Sequence, residues 1–259
     1  MFNFLRNLLV VTVLLLAAPL LARGAELHLA AAADLKYALD DIVASYNKEH
    51  PGDRVMVTYG SSGKFFTQIQ QGAPYDLYFS ADISYPRELQ KAGLAASEVR
   101  TYAFGRLVIW SSAIDATRMT LASLADPRIT RIAMANPKHA PYGKRAEEAF
   151  RALKLWDNLQ PKLVYGENIA QTAQFVQSGN AQVGIIALSL AVNPELAKKG
   201  GYAPIPEHLH QPLEQGYVIT RRGGDNPLAK KFAAYFSAKK AQSVLTRYGF
   251  ILPGGPAGK

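Results

Sequence analysis

Cysteine is absent from the 259-residue chain. That excludes a disulfide scaffold, a thiolate zinc site, an iron–sulfur cluster and a cysteine nucleophile. Charge is sparse at 19 % of residues, with 20 acidic against 29 basic side chains and a formal net charge of +9. The basic residues are dispersed and form no stripe, so a nucleic-acid partner is not expected. Internal repeats, low-complexity tracts and Gly/Ser linkers are also missing. Histidine is scarce, with 5 in the chain. His208 and His210, set between Pro206 and Pro212, read as polar residues of a surface loop and not as chelators. No metal cation site is therefore expected. No G-x-G-x-x-G follows a strand and no G-x-S-x-G surrounds Ser61 or Ser62. Gly63-Lys64 has the ending of a phosphate loop, but Phe65 stands where Ser or Thr is required. The adjacent pairs Asp40-Asp41 and Glu147-Glu148 do not face each other on a helix. Neither a catalytic residue nor a cofactor is expected, and the chain is not read as an enzyme.

Long hydrophobic runs are limited to one. Residues 8–22 follow Arg6, are interrupted by Pro19 and lead to the small-x-small triplet Ala22-Arg23-Gly24. The run falls short of the roughly 20 residues of a membrane span. Residues 1–25 are read as a cleaved signal peptide, so the mature protein is expected to be exported. No cysteine follows the run to carry a lipid anchor.

What the remainder does contain is alternation of strand and helix patterns. Strands are predicted at 26–32, 54–59, 76–80, 103–111, 129–135, 163–165, 182–187, 202–205 and 216–220. Helices are predicted at 35–48, with Asp34 as N-cap, and at 64–71, 141–153, 168–177 and 227–248. Ser84 is expected to cap a further short helix. Alternation of this kind implies an α/β fold with largely parallel sheets. It begins twice with no linker between, which predicts two lobes joined by strand-like crossings near 104–106 and 215–217. The expected lobes are 26–105 plus 217–259, and 106–216. The terminal helix should return to the first lobe.

Four strand-to-helix junctions look alike: Ala33-Asp34-Leu35, Ser61-Ser62-Gly63, Ala140-Pro141-Tyr142-Gly143 and Glu167-Asn168-Ile169. A helix start presents N–H groups without internal partners and the positive end of the helix dipole. In open α/β sheets such starts lie at the carboxyl ends of the strands, where ligands bind. Several aimed at one cleft would make a donor-rich pocket for a small anion.

The segments AAADLKYALDDI, VTYGSSGKFFTQIQQGAPYDLYFSAD, NPKHAPYGKRAEEAF, YGENIAQTAQFV and LTRYGFILP resemble the periplasmic molybdate-binding proteins of ABC importers. The resemblance covers nearly the whole mature chain. It implies a two-lobed periplasmic-binding-protein fold, with mixed, mostly parallel sheets, helices on both faces and a ligand cleft between the lobes. It also implies a periplasmic location, a membrane permease as partner, and molybdate or tungstate as the transported ligand, held as an oxyanion. A monomer is expected.

Carried over residue by residue, Ser62, with Ser61 beside it, matches the ligand-binding serine. Tyr142 and Ile169 match positions whose main-chain N–H groups bind the oxyanion. Asp34 occupies a position where the family often has Ser or Asn, and a carboxylate there would repel a dianion. Either its side chain caps its own helix, or it enters the pocket and needs a proton on itself or on the anion. The position from which some members supply a tyrosine reads Ile186-Ala187-Leu188, so that contact is expected to be lost. Lys36, Lys64, Lys144 and Arg145 are expected to steer the anion from a distance. A cleft for phosphate or another oxyanion, and a secreted phosphate-ester hydrolase using Asp34 or Ser62, are the alternatives.

Overall fold

The computed structural model describes residues 26–255. The signal-peptide reading of 1–25 and the last four residues of the tail lie outside them. Ten strands form two five-stranded sheets. The first contains β1 (Glu26–Ala32), β2 (Arg54–Gly60), β3 (Leu77–Ser80), β4 (Arg100–Gly105) and β10 (Leu213–Ile219). Its order is β2-β1-β3-β10-β4. The second contains β5 (Leu107–Ser111), β6 (Ile132–Ala135), β7 (Leu163–Gly166), β8 (Val183–Ala187) and β9 (Gly201–Pro204), in the order β7-β6-β8-β5-β9.

The two sheets share one plan. β1 pairs parallel with β2 and β3, while β10 is antiparallel to β3 and β4. In the second sheet β6 pairs parallel with β7 and β8, while β5 is antiparallel to β8 and β9. The reversed strand of each sheet is the one that arrives from the other lobe. β4 runs toward the cleft and hands the chain to β5, which enters the second lobe from the cleft side. β9 hands it back to β10 in the same way. The carboxyl ends of β1, β2, β6 and β7 therefore face one another across the gap, where an open α/β sheet presents its ligand site.

Both faces of the first sheet are packed, and side chains alternate between them as the strand period requires. Leu27, Leu29 and Ala31 of β1, Leu77 and Phe79 of β3, and Tyr217 and Ile219 of β10 join one core. Ala30, Tyr78 and Val218, from the same strands, join the other. The first core is closed by α1 (Lys36–Glu49), α6 (Pro227–Phe236) and α7 (Lys239–Arg247), so the terminal helices do pack on the first lobe. The second face carries α2 (Ser62–Gln70) and α3 (Ser84–Lys91). The second lobe has its own core, with α4 (Pro141–Ala152) and α5 (Ile169–Gln177) against its sheet.

Five local expectations are corrected. The apolar run 103–111 is not one strand but the end of β4 and all of β5, divided at Arg106 where the chain changes sheets. Hydropathy is continuous there because each half is buried in a different lobe. The second crossing lies before Leu213, since all of β10 belongs to the first sheet, and the expected boundary at 216/217 cuts through that strand. The helix expected over 227–248 is two helices. Ser237 ends the first, and the extended backbone of Ala238 turns the chain into the second. Ser84 is not a cap, since Asp82 Oδ1 accepts from the Ser84 N–H at 2.9 Å. Asp34 is not an N-cap either. It lies inside a 3-10 turn, Ala33–Leu35, ahead of α1.

Candidate functional site

The four junctions meet where the lobes meet. β1 leads into the Ala33–Leu35 turn, β2 into α2, β6 through a short loop into α4, and β7 into α5. Ser61 is the N-cap of α2 and its Oγ accepts from the Lys64 N–H at 3.4 Å. Pro141 occupies the first turn of α4, where a missing N–H costs nothing. Asn168 caps α5 through the N–H groups of Ala170 and Gln171, both at 3.0 Å. The Ile169 N–H lies outside that cap, and like the Tyr142 N–H it has no acceptor within its own helix.

The seam between the lobes is closed by direct contacts. Gly63 N–H donates to the His139 carbonyl at 2.9 Å. Ser61 Oγ lies 3.0 Å from His139 Nδ1. Lys64 pairs with Glu167 across the seam, and His139 Nε2 is 3.8 Å from the same carboxylate. Arg145 Nη2 of α4 lies 3.5 Å from Asp82 Oδ2 of the first lobe. A Cβ on Gly63 would sit 2.7 Å from the His139 carbonyl oxygen and 2.9 Å from the Tyr85 hydroxyl, so only glycine allows this approach. Ser61, Ser62, Asp34, Tyr142 and Ile169 are all buried in this closed arrangement.

Ser62 is held from two directions. Its Oγ accepts from the Ala81 N–H at 3.0 Å, and its carbonyl accepts from the Tyr78 hydroxyl at 2.7 Å. With one lone pair used, the Ser62 hydroxyl proton is still available for donation.

Asp34 makes the main polar link between the lobes. Its Oδ2 accepts from the Tyr142 hydroxyl at 3.0 Å and from Gln215 Nε2 at 2.7 Å. Its carbonyl accepts from the Ser189 hydroxyl at 2.7 Å. Gln215 also receives the Tyr102 hydroxyl, at 2.5 Å on Oε1. A Cβ on Gly105 would stand 2.1 Å from the Tyr142 hydroxyl, so glycine at the end of β4 gives this cluster its room. Burial pushes the Asp34 carboxyl up from its ordinary 3.8 to about 7. The hydrogen bonds of Gln215 and Tyr142, and the main-chain amides of Asp34 and Leu35, pull it the other way without winning. The capping reading of Asp34 is thus replaced, because its side chain crosses to the other lobe.

The expected steering charges are largely paired. Lys36 Nζ is 3.0 Å from Asp40, Lys64 meets Glu167, and Arg145 Nη1 is 2.6 Å from Glu148. Lys144 is exposed. The site presents neutral donors and one buried carboxyl, with no cation in its hydrogen-bonded cluster. Sequence reasoning missed Gln215, His139, Glu167 and Ser189. The only available signal was Gln215, which lies at an anticipated crossing.

Over residues 27–251 the chain matches the family model described as bacterial extracellular solute-binding protein. It is 36 % identical over 232 residues to the molybdate-binding protein of Azotobacter vinelandii, covering 89 % of this chain and 92 % of that one. It is 34 % identical over 233 residues to the molybdate-binding protein of Rhodobacter capsulatus, covering 89 % and 90 %. The solved structure of the A. vinelandii periplasmic molybdate-binding protein superposes with a TM-score of 0.82 at 30 % identity, covering 88 % of this chain and 99 % of that one.

Proposed function

The chain belongs to the bacterial extracellular solute-binding proteins, and from that premise we propose that its cleft captures molybdate, and tungstate by the same contacts, in the periplasm for delivery to a membrane permease of an ABC importer. The observation that carries the reading is the convergence of four helix starts on one seam between two lobes. Such starts stabilise an anion with amide dipoles and need no countercharge. The names of the two relatives supply the oxyanion.

In this reading the metal is cargo, held only through its oxygen atoms. The Ser62 hydroxyl and the N–H groups of Tyr142 and Ile169 donate to it, and Ser61 shapes the loop that carries Ser62. Asp34 joins the site as the link between lobes. Donors come from both lobes, so they are satisfied together only when the cleft is shut, and binding drives closure. No bond of the ligand is made or broken, and the protein acts as a carrier and not as an enzyme. Sulfate is also an unprotonated dianion, so discrimination against it rests on cavity size. Isothermal titration with molybdate, tungstate, sulfate and phosphate tests the assignment. Molybdate and tungstate are expected to bind tightest, and tighter binding of phosphate would reverse it.

A further inference from the structure

Asp34 stands at the first of the four helix starts, where a carboxylate would oppose an arriving dianion. Its two oxygens are used unequally. Oδ2 accepts two hydrogen bonds, from Tyr142 and from Gln215. Oδ1 is buried and has no partner at hydrogen-bond geometry, although the nearby main-chain amides of Asp34 and Leu35 pull the carboxyl toward its ionised form without offsetting burial. This is the layout of a carboxylic acid: the oxygen that accepts two donors is the carbonyl end, and the other end carries the proton. A buried O–H without an acceptor is costly, and an oxygen atom arriving in the cleft would satisfy it.

Resting on the oxyanion-capture reading, we propose that Asp34 enters the loaded cleft as the neutral acid, with its Oδ1–H donating to an oxygen of the bound anion, so that each dianion is captured together with one proton. The proton comes from solvent as the cleft closes and returns to solvent on release. In the open cleft water hydrates the carboxyl and restores its ordinary acidity. In the closed cleft burial favours the protonated form, which agrees with the shift to about 7 before any anion is added.

Among the described residues, the groups that hydrogen-bond the Asp34 carboxyl are uncharged. Tyr142 faces the carboxyl from α4 and Tyr102 lies near it on β4. Burial raises both phenols well above their ordinary range, so they stay neutral. Gln215 from β10 and Ser189, next to the Asp34 carbonyl, are uncharged. Lys36, two residues further along the chain, directs its ammonium to Asp40. His139 sits on Ser61, at the neighbouring helix start, and burial with the nearby Lys64 lowers its pKa. It is the imidazole of the seam, and the downward shift favours its neutral form.

The arrangement also selects among anions. Molybdate, tungstate and sulfate offer only acceptors and need the proton on Asp34. Hydrogen phosphate brings its own proton, donates to the ionised carboxylate, and takes up none.

The test is calorimetric titration of the purified protein with sodium molybdate between about pH 6 and about pH 8, in buffers of different ionisation enthalpy. Uptake close to one proton per anion is expected, with affinity falling about tenfold per pH unit across that range. Asp34→Asn offers the donor and acceptor layout of the acid without titrating, and is expected to lose both the slope and the uptake. Wild-type binding that is flat with pH and takes up no proton would overturn the coupling alone. A slope that persists in Asp34→Asn would also overturn it, moving the effect to His139. Absence of molybdate binding at every pH in a cooperatively melting protein would overturn the parent reading and this inference with it. Should the variant fail to fold, the wild-type buffer comparison decides by itself.

Discussion

Gly63→Ala should weaken anion binding while leaving the fold as stable as before, or more so. Gly63 is the second residue of α2, a helical position where alanine is favoured by about 0.5–1 kcal/mol. Its Cβ, however, would point across the seam, 2.7 Å from the His139 carbonyl oxygen and 3.0 Å from its Cα. Both are main-chain atoms, so no side chain can swing aside. Restoring ordinary contact requires the lobes to part by about 0.7 Å at this point. The Gly63–His139 hydrogen bond of 2.9 Å would stretch beyond useful length, and the 3.0 Å contact of Ser61 with His139 would go with it. Two net hydrogen bonds are worth about 1–3 kcal/mol, which is a dissociation constant raised by roughly 5- to 150-fold. Calorimetric titration with molybdate reads the affinity, and thermal melting of the unloaded protein reads the fold. An unchanged dissociation constant with a raised melting temperature would show that closure does not need this contact, and the account of the seam would fail.

Ser62→Ala removes a hydroxyl donor and the acceptor of the Ala81 N–H, and binding measured by titration should weaken by about 1.5–3 kcal/mol, the range for hydrogen bonds to charged groups. Glu167→Gln removes the exposed pair with Lys64, so its effect should stay within about 1 kcal/mol. It should appear as faster anion release in stopped-flow traces at low salt and vanish at high salt. Burial raises the Asp34 carboxyl from 3.8 in the unfolded chain to about 7 in the closed fold. The closed fold therefore holds a proton that the unfolded chain releases, and this contribution is complete below about pH 4 and lost as pH rises to about 7. The loss is on the order of 4 kcal/mol at most, capped by the cost of opening the cleft. The melting temperature of the unloaded protein should fall between about pH 4 and about pH 7, and Asp34→Asn should flatten that fall; equal slopes in the two proteins would remove Asp34 as the cause.

Local pattern sufficed for much of this protein. Period-2 and period-3.6 spacing is a property of a few consecutive residues, and it located most strands and helices and all four helix starts before any coordinates. Capping was less legible: the Pro141 helix start was read from the chain itself, but the cap readings of Asp34 and Ser84 were both replaced. The break at Arg106 was not legible, because an apolar run looks the same whether one sheet or two bury it. The kink at Ser237 and Ala238 was hidden for a similar reason, since both helices keep the same apolar rhythm.

Only the tertiary structure decided what Asp34 does. From the sequence its carboxylate was a cap or an intruder, and the choice depends on partners 108 and 181 residues away, Tyr142 and Gln215. The same holds for His139, which reaches Ser61 across 78 residues, and for Glu167, which meets Lys64 across 103. A residue's intrinsic propensity fixes the local backbone. The dielectric around a carboxyl, and the donors that reach it, are set by which distant strands the crossings bring together.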